Sequence, residues 1–219
     1  VQAYLSIDEM IRVALDCGAD AIHPGYGLLS ENPAFVEACT AAGIAFIGPK
    51  VETMRALGDK ASARKVAIAA GVPVNPATEV LGDDMDEIAR QAEAIGYPLM
   101  LKASWGGGGR GMRPIHGPEE LADKVREGRR EAEAAFGNGE GYLEKMIERA
   151  RHVEVQILGD SQGEIYHLYE RDCSVQRRNQ KVVERAPAPY LSQEQREEIC
   201  ELGIKIARHA NYECAGTVE

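Results

Sequence analysis

Apolar positions recur with a helical period at the start of the chain and then give way to short apolar runs. After a capping box at residues 6–9, apolar residues follow at helical spacing until Gly18 ends the helix. Apolar runs at 21–24 and 44–47 predict buried strands, with a second helix between them. This alternation indicates an α/β unit over residues 1–50. It has too few strands for a complete sheet, so we interpret it as the C-terminal part of a larger domain.

The middle of the chain has a different order of elements. Two short helical patterns, at 52–57 and 60–70, predict a helical linker over residues 51–76. A compact unit over residues 77–146 follows, which we interpret as a small lid. Its predicted elements are, in order, a helix at 83–95, a strand at 98–104, a glycine-rich segment, a helix at 118–135 and a strand at 142–147.

Residues 147–219 form the last predicted unit. Segments 151–158 and 164–171 flank a Gly-Asp-Ser-Gln-Gly turn, which is a strong hairpin signal. A helix over 192–209 starts with a second capping box and carries an apolar face, and a strand is predicted at the end of the chain. Because the chain does not begin with Met and stops inside this strand, we expect it to be cut from a longer protein at both ends.

The segment at 102–113 contains an unusual density of glycine and positive charge. Without a Cβ, glycine lets backbone N–H groups turn toward an anion. The spacing satisfies a dinucleotide fingerprint, but that motif needs a helix directly after the glycines, and an extended stretch at 112–115 follows instead. This order indicates a flap that folds over phosphates, with a mobile hairpin tip as the alternative. The flap residues are Gly106, Gly107, Gly108, Gly109 and Gly111, with Lys102 on the strand before them.

Composition excludes several classes of function. Of the 219 residues, 25 are basic and 35 acidic, and the net charge of −10 argues against binding to nucleic acid or to an acidic membrane. Five cysteines without a CxxC pair indicate neither a disulfide framework nor a zinc site. No apolar run approaches the length of about 18 residues that crosses a membrane. We expect a cytoplasmic protein, or one of the mitochondrial matrix in a eukaryote.

Two polar segments of the last unit carry candidate chemistry. His152, Glu154 and Gln156 alternate with apolar residues and so share one face of a strand, although an ordinary solvated sheet face would have the same pattern. Residues 170–185 concentrate charge without helical or strand periodicity. A plain surface loop rarely has this composition, so the segment indicates an ordered ion-pair network or an anion site. Its cations are Arg171, Arg177, Arg178, Lys181 and Arg185.

Three acidic and basic residues at strand ends are further candidates. Glu144 and Lys145 end the lid strand and are candidates for the hinge of a nucleotide pocket. Glu219 is a candidate magnesium ligand because hard oxygen ligands suit that ion. The Walker phosphate loop, the GxSxG elbow and the HExxH zinc motif do not occur in the sequence.

Taken together and in this order, the motifs resemble the biotin carboxylase component of biotin-dependent carboxylases, and the resemblance covers essentially the whole chain. It implies an α/β (α+β) architecture, in which an ATP-grasp fold follows part of a Rossmann-like pre-ATP-grasp domain. Trp105, Asn179, Arg185 and residues 186–191 look most like the pyruvate carboxylases of this family. The matching segments are 23–32, 58–60, 102–113, 144–145 and 170–189.

The resemblance implies that ATP phosphorylates bicarbonate and that the ureido nitrogen of biotin attacks the resulting carboxyphosphate or its CO2. It places Lys181 beside bicarbonate with Glu154 paired to it, and makes Glu219 the first ligand of Mg2+ or Mn2+. Biotin would arrive on a carrier domain outside this chain, in a homo-oligomeric full-length protein. The positions implied for ATP are Lys60, Lys102, Gly106, Gly107, Gly108, Gly109, Gly111, Glu144, Lys145, Ile147, His152, Gln176 and Asn179.

Other interpretations of the same motifs stay open at this point. Many bacterial biotin carboxylase subunits have His at the position of Asn179, so its contact is less firmly implied. The carboxyl acceptor could be acetyl-CoA or propionyl-CoA instead of pyruvate. A different class is a scaffold that binds nucleotide without catalysis, and a third is another ATP-grasp ligase, such as a carbamoyl phosphate synthetase, which would work without biotin.

The resemblance also predicts how these 219 residues behave in isolation. In the family, a second magnesium carboxylate, the bicarbonate-binding Arg, the general-base Glu and an Arg that steers biotin all follow the position of Glu219. We therefore expect the isolated chain to bind nucleotide weakly and to be inactive. Bicarbonate-dependent release of phosphate from ATP by the purified chain measures this, and turnover above the no-enzyme rate would contradict it.

Overall fold

The structure is a computed structural model that describes residues 2–104, 112–178 and 180–219. The predictions made for the five flap glycines, for Trp105 and for Asn179 therefore lie outside the described residues. Within the described ranges, no helix is long and apolar enough to cross a membrane. All five cysteines lie in the described ranges and are free thiols.

The N-terminal unit alternates helix and strand, as the apolar pattern predicts. A 3-10 helix precedes helix α1, whose N-terminus is capped by the Ser6 hydroxyl, which accepts a hydrogen bond from Glu9 N at 3.4 Å. Strands β1 and β2 pair in parallel, with Ala21 opposite Ala45. Apolar residues of α1, α2 and the loops pack into one small core. The bounds are Gln2–Leu5 for the 3-10 helix, α1 Ile7–Asp16, β1 Ala21–Ile22, α2 Pro33–Ala41 and β2 Ala45–Phe46.

Two helices, α3 (Val51–Leu57) and α4 (Lys60–Ala69), lie in the segment for which helical patterns were predicted. Asp59 caps α4 by accepting a hydrogen bond from Ser62 N at 2.9 Å, which sets Lys60 at the first position of the helix. The Thr53 hydroxyl donates to the Ala210 carbonyl at 2.9 Å and so ties the linker to the C-terminal part of the chain.

The lid unit is a three-stranded antiparallel sheet packed against two helices. Its strands follow the order β4-β3-β5, with Leu99 opposite both Ile115 and Lys145. Because β3 and β4 are paired neighbours, the glycine-rich segment connects two strands, and the predicted strand-to-strand order is confirmed. The bounds are α5 Met85–Ile95, β3 Leu99–Ala103, β4 Arg113–Ile115, α6 Pro118–Phe136 and β5 Gly141–Lys145.

The C-terminal unit is a four-stranded antiparallel sheet in the order β8-β7-β6-β9, covered on one face by helix α7. Val155 and Ile157 of the sheet pack against Cys200 and Ile204 of the helix, and this apolar contact orients the other face of β6 away from the core. The bounds are β6 Val153–Gly159, β7 Ile165–Arg177, β8 Gln180–Arg185, α7 Gln193–His209 and β9 Cys214–Val218.

The interpretation of residues 170–185 as a segment without strand periodicity was wrong. Strand β7 continues to Arg177, six residues beyond the predicted hairpin arm, and β8 follows directly as its partner. The alternation is hidden in the sequence because the register shifts between Asp172 and Val175 and again between Val175 and Gln176. The charges therefore lie on a bulged hairpin, which fixes their positions more firmly than a loop would.

A buried ion pair holds the segment after β8 against helix α7. Glu170 is 1% exposed, and its Oε1 accepts hydrogen bonds from Ala188 N at 3.0 Å and from Arg196 Nε at 2.9 Å. Arg196 Nη2 also donates to the Ala188 carbonyl at 3.2 Å. The pair satisfies both groups, so removal of one partner leaves an uncompensated charge in the interior.

We predict that Arg196→Met lowers the free energy of unfolding by about 3 kcal/mol, because it leaves the buried Glu170 carboxylate without its cationic partner. Urea unfolding followed by circular dichroism measures this change. The matched control is Lys205→Met, which also replaces a cation with Met but at an exposed position of the same helix. Equal losses in the two variants would show that the Glu170 pair has no special role.

Candidate functional site

A buried carboxylate lies at the centre of the exposed side of the β6–β7–β8 hairpin pair. Glu154 on β6 is 2% exposed and lies directly opposite Arg171 on β7. Its Oε1 is 2.6 Å from Arg171 Nη2, and its Oε2 contacts Lys181 Nζ from β8. The structure therefore pairs Lys181 with Glu154, as the sequence analysis expects. Three neighbouring strands each contribute one charged group to this cluster.

The charges of this cluster keep one another ionised. Burial raises the pKa of Glu154, but the hydrogen bond from Lys181 and the charge of Arg171 outweigh it and hold the pKa below its ordinary value. Burial lowers the pKa of Lys181, but Glu154 and Glu219 outweigh it and raise the pKa. Lys181 thus stays protonated at neutral pH and is 30% exposed, so it presents positive charge to an anion at the surface.

Glu219 and His152 lie at the edge of the same cluster. Glu219 Oε1 is 3.2 Å from Lys181 Nζ and 3.2 Å from His152 Nε2. On the other side of the ring, His152 Nδ1 is 3.1 Å from Gln176 Nε2. Gln176 in turn donates to the Cys173 carbonyl at 2.9 Å. The structure therefore brings together four of the residues expected at the nucleotide, bicarbonate and metal positions.

Potential metal ligands occur in this cluster. Among the described residues, ligand atoms of His152, Glu154 and Glu219 lie within 4.8 Å of one another. The Lys181 ammonium contacts both carboxylates and neutralises part of their charge. Glu219 is 61% exposed and is the member that fits Mg2+, which takes one or two protein carboxylates and completes its shell with waters and phosphate oxygens.

The predicted nucleotide hinge lies at the end of lid strand β5. Lys102 Nζ on β3 contacts Glu144 Oε1 at 2.6 Å, and Asn75 Nδ2 donates to the same oxygen at 3.1 Å and to the Lys145 carbonyl at 2.6 Å. Lys145 Nζ donates to the carbonyls of Gly96 and Tyr97 at 2.9 and 2.8 Å. The Lys145 side chain thus stabilises the lid, while Ile147, just beyond the strand, is exposed.

Lys60 electrostatically connects the lid hinge with the sheet cluster. Burial lowers the pKa of Lys60, the charge of Lys102 lowers it further, and Glu144 and Glu219 act in the opposite sense. Lys60 is therefore close enough to interact with residues of the lid and with the last residue of the C-terminal unit. Two neighbouring lysines that repel each other form a site suited to a polyanion, since a bound anion relieves the repulsion.

Sequence reasoning missed two residues that organise this site. Arg171 was grouped with the other cations of its segment, although it contacts Glu154, Gln156 and Glu184. Asn75 was not singled out at all. The opposed strands of the predicted hairpin could have indicated Arg171, because pairing across the turn places it opposite Glu154. Asn75 carried no sequence signal of this kind.

The other cations of residues 170–185 do not join the cluster. Arg185 Nη2 contacts Asp172 Oδ2 at 3.1 Å, and Asp172 also accepts a hydrogen bond from the Ser174 hydroxyl at 2.5 Å. The Ser174 hydroxyl, together with Arg185, holds the pKa of Asp172 well below its ordinary range. Arg177 and Arg178 are exposed. The segment is therefore divided between a structural ion-pair network and the candidate site.

Comparison with known proteins agrees with this geometry. Residues 59–219 match the family described as carbamoyl-phosphate synthase L chain, ATP binding domain, and residues 1–54 match the biotin carboxylase N-terminal domain. The mixed helix and strand architecture agrees with that of the structural neighbours, which are ATP-grasp domains of biotin carboxylases. The chain belongs to the biotin carboxylase family.

The similar proteins include pyruvate carboxylases and other biotin-dependent carboxylases. Mouse mitochondrial pyruvate carboxylase is 53% identical over 219 residues, which are the whole of this chain and 19% of that protein. A Rhizobium etli pyruvate carboxylase variant, solved with its allosteric activator acetyl coenzyme A, is 67% identical with a TM-score of 0.91, and the match covers 98% of this chain and 19% of that one.

A third relative was solved with ligands. It is the biotin carboxylase domain dimer of Hydrogenobacter thermophilus 2-oxoglutarate carboxylase, in complex with MgADP, ADP and bicarbonate. It is 48% identical with a TM-score of 0.93, and the match covers 98% of this chain and 47% of that one. The chain thus spans about half of that domain and about a fifth of the pyruvate carboxylases.

We predict that Glu154→Gln lowers the free energy of unfolding by about 2 kcal/mol at pH 7, because it leaves Lys181 and Arg171 without their shared partner. The folded pKa of Glu154 lies below its unfolded value of about 4.3, so its contribution is present above that pH and is lost as the pH falls through the folded pKa. The difference between the two proteins should shrink below about pH 4.

Urea unfolding of both proteins at a series of pH values measures this difference. The control is Glu184→Gln, at a more exposed carboxylate 3.5 Å from Arg171 Nε. A constant difference between Glu154→Gln and the unaltered protein from pH 7 to acid would contradict the electrostatic explanation.

Proposed function

We propose that this chain carries the nucleotide- and bicarbonate-binding residues of a biotin carboxylase, which carboxylates biotin with ATP and bicarbonate as the first half-reaction of a pyruvate carboxylase. The observation that carries the proposal is the buried Glu154–Lys181 pair, because Lys181 also contacts Glu219, and Glu219 interacts electrostatically with Lys60. This arrangement offers one cation to a small anion and two to a polyphosphate.

In the first step, a bicarbonate oxygen attacks the γ-phosphorus of ATP, the bond from the γ-phosphorus to the bridging oxygen breaks, and ADP leaves with carboxyphosphate as the other product. Lys60 and Lys102 bind the phosphates and neutralise their charge. For this, Lys102 exchanges its contact with Glu144 for a phosphate oxygen. Lys181 holds bicarbonate in position, and the buried Glu154 fixes Lys181. Mg2+, or Mn2+ in its place, supplies further charge neutralisation when bound, with Glu219 as a ligand.

The remaining residues bind and orient the nucleotide. Glu144, Lys145 and the backbone near Ile147 hold adenine, and His152, Gln176 and Asn179 lie near ribose and phosphate. The flap glycines close over the phosphates and exclude water from the labile intermediate. In the second step, the ureido nitrogen of biotin attacks the carboxyl carbon of carboxyphosphate with loss of phosphate, or attacks CO2 after carboxyphosphate has split into CO2 and phosphate. In either route the released phosphate accepts the proton that the nitrogen loses.

The proposed division of the chain follows from these roles. Residues 1–50 are the C-terminal part of the N-terminal biotin carboxylase domain, 51–76 the linker, 77–146 the lid, and 147–219 the first part of the catalytic subdomain. The biotinylated carrier domain is the protein partner, in a homo-oligomer of the cytoplasm or the mitochondrial matrix. Pyruvate is the proposed acceptor because relatives at 53% and 67% identity are pyruvate carboxylases.

An acetyl-CoA or propionyl-CoA carboxylase is the nearest alternative, and a nucleotide-binding scaffold without catalysis is the alternative from another class. Transfer of the carboxyl group to each acceptor by the full-length protein separates the carboxylases. The match to the biotin carboxylase N-terminal domain favours biotin chemistry over that of a carbamoyl phosphate synthetase.

We predict that Lys181→Ala in the full-length protein lowers bicarbonate-dependent ATP cleavage by about 100-fold or more, because it removes the cation that positions the attacking anion. Phosphate release with and without bicarbonate measures the loss. Lys205→Ala, at an exposed position of α7, is the control for substitution as such. Full bicarbonate-dependent activity of a folded Lys181→Ala protein would reject the proposed mechanism and leave the scaffold as the better interpretation.

A further inference from the structure

Arg171 on β7 makes two contacts with strand β6 through the fork of its guanidinium group. Nη2 lies 2.6 Å from Glu154 Oε1, and Nη1 donates to Gln156 Oε1 at 2.9 Å. Glu154 and Gln156 are alternate residues of β6 and so lie on the same face of the sheet. A planar fork with two donor nitrogens fits two acceptors at this spacing, and a lysine could reach only one of them.

The two oxygens of Glu154 have different partners. Arg171 occupies Oε1, while Oε2 faces Lys181 and lies 3.7 Å from His152 Nε2. With Arg171 in place, the carboxylate is fixed in orientation and its charge is shared between two cations. Without Arg171, the carboxylate would be free to rotate, so it would no longer fix the position of the Lys181 ammonium group. The full negative charge of the buried carboxylate would also act on Lys181 alone, so Lys181 would attract a second anion less strongly.

The other arm of Arg171 is connected through Gln156 to β9, the strand that ends directly before Glu219. Gln156 Nε2 donates to the Gly216 carbonyl of β9 at 2.9 Å, and Gln156 lies opposite Thr217 in the strand pairing. The chain of contacts therefore runs from Arg171 through Gln156 to β9, three residues before Glu219. One guanidinium thus fixes both the anion-binding lysine and the strand that leads to the proposed metal ligand.

We propose that Arg171 is a positioning residue for bicarbonate binding, acting through Glu154 on Lys181, and through Gln156 on β9. The inference deepens the proposed function and rests on it. Arg171 is 23% exposed, and its contacts are with Glu154, Gln156 and Glu184, so it acts on the substrate only through other side chains.

The test is Arg171→Met in the full-length protein, with KM for bicarbonate and KM for ATP measured separately. The KM for bicarbonate should rise by about tenfold or more, as for other residues that orient a ligand-binding group, with a smaller change in the KM for ATP. Arg185→Met is the matched control, since Arg185 also binds a buried carboxylate on β7, that of Asp172, but does not contact Glu154. Arg185→Met should leave the KM for bicarbonate unchanged.

Two further variants separate positioning from a general loss of stability. Arg171→Lys can contact Glu154 but not Gln156 as well, so it should recover part of the bicarbonate affinity. In the double variant Arg171→Met with Glu154→Gln, the effect on the KM for bicarbonate should be no larger than that of Glu154→Gln alone, because both act through one carboxylate.

The outcomes distinguish the inference from the proposed function. If Lys181→Ala retains full activity, the proposed function fails and the role of Arg171 fails with it. If Lys181→Ala is inactive but Arg171→Met has the same KM for bicarbonate as Arg185→Met, only the inference is overturned. The inference is also overturned if the increases in the KM for bicarbonate caused by Arg171→Met and by Glu154→Gln multiply in the double variant. That result would show that Arg171 acts independently of Glu154.

Discussion

The buried charge of Glu154 is the constraint on which the candidate site depends. A carboxylate that is 2% exposed is costly unless opposite charges and hydrogen bonds compensate for it, and Arg171 and Lys181 supply both. These cations come from two further strands, so compensation requires that β6, β7 and β8 keep one register. Because a slip of one residue would turn every side chain to the opposite face, the electrostatic requirement and the strand pairing support each other.

The charges of Lys60 and Lys102 are only partly neutralised by the protein. Lys102 has Glu144 as a partner, whereas burial and the nearby charge of Lys102 lower the pKa of Lys60. A polyphosphate would relieve this repulsion but would have to compete with Glu144 for Lys102. The Lys102–Glu144 ion pair therefore weakens the binding of a polyphosphate. In the absence of nucleotide, the same pair links the neighbouring strands β3 and β5.

The sequence predicted the helices well because their signals are local. Capping boxes and the apolar periods mark α1, α4 and α7 within a residue or two. Residues 170–185 were misinterpreted because bulges break the alternation that identifies a strand. The partners of Glu154 could be predicted only through the family resemblance or the strand register, since Lys181 is 27 residues away in the chain. The contacts of Asn75 with Glu144 and Lys145 join residues about 70 positions apart, so they could be identified only in the folded structure.

Three consecutive charges on β7 show how the pleat separates structural from functional roles. Glu170 and Asp172 are both buried, and their contacts are with Arg196 on α7 and with Ser174 and Arg185. Arg171, between them, points to Glu154 on the opposite side of the sheet, as alternation along a strand requires. A buried ion pair contributes little net stability compared with apolar packing. The Glu154 cluster is therefore better explained by the proposed role in anion binding than by a need for stability.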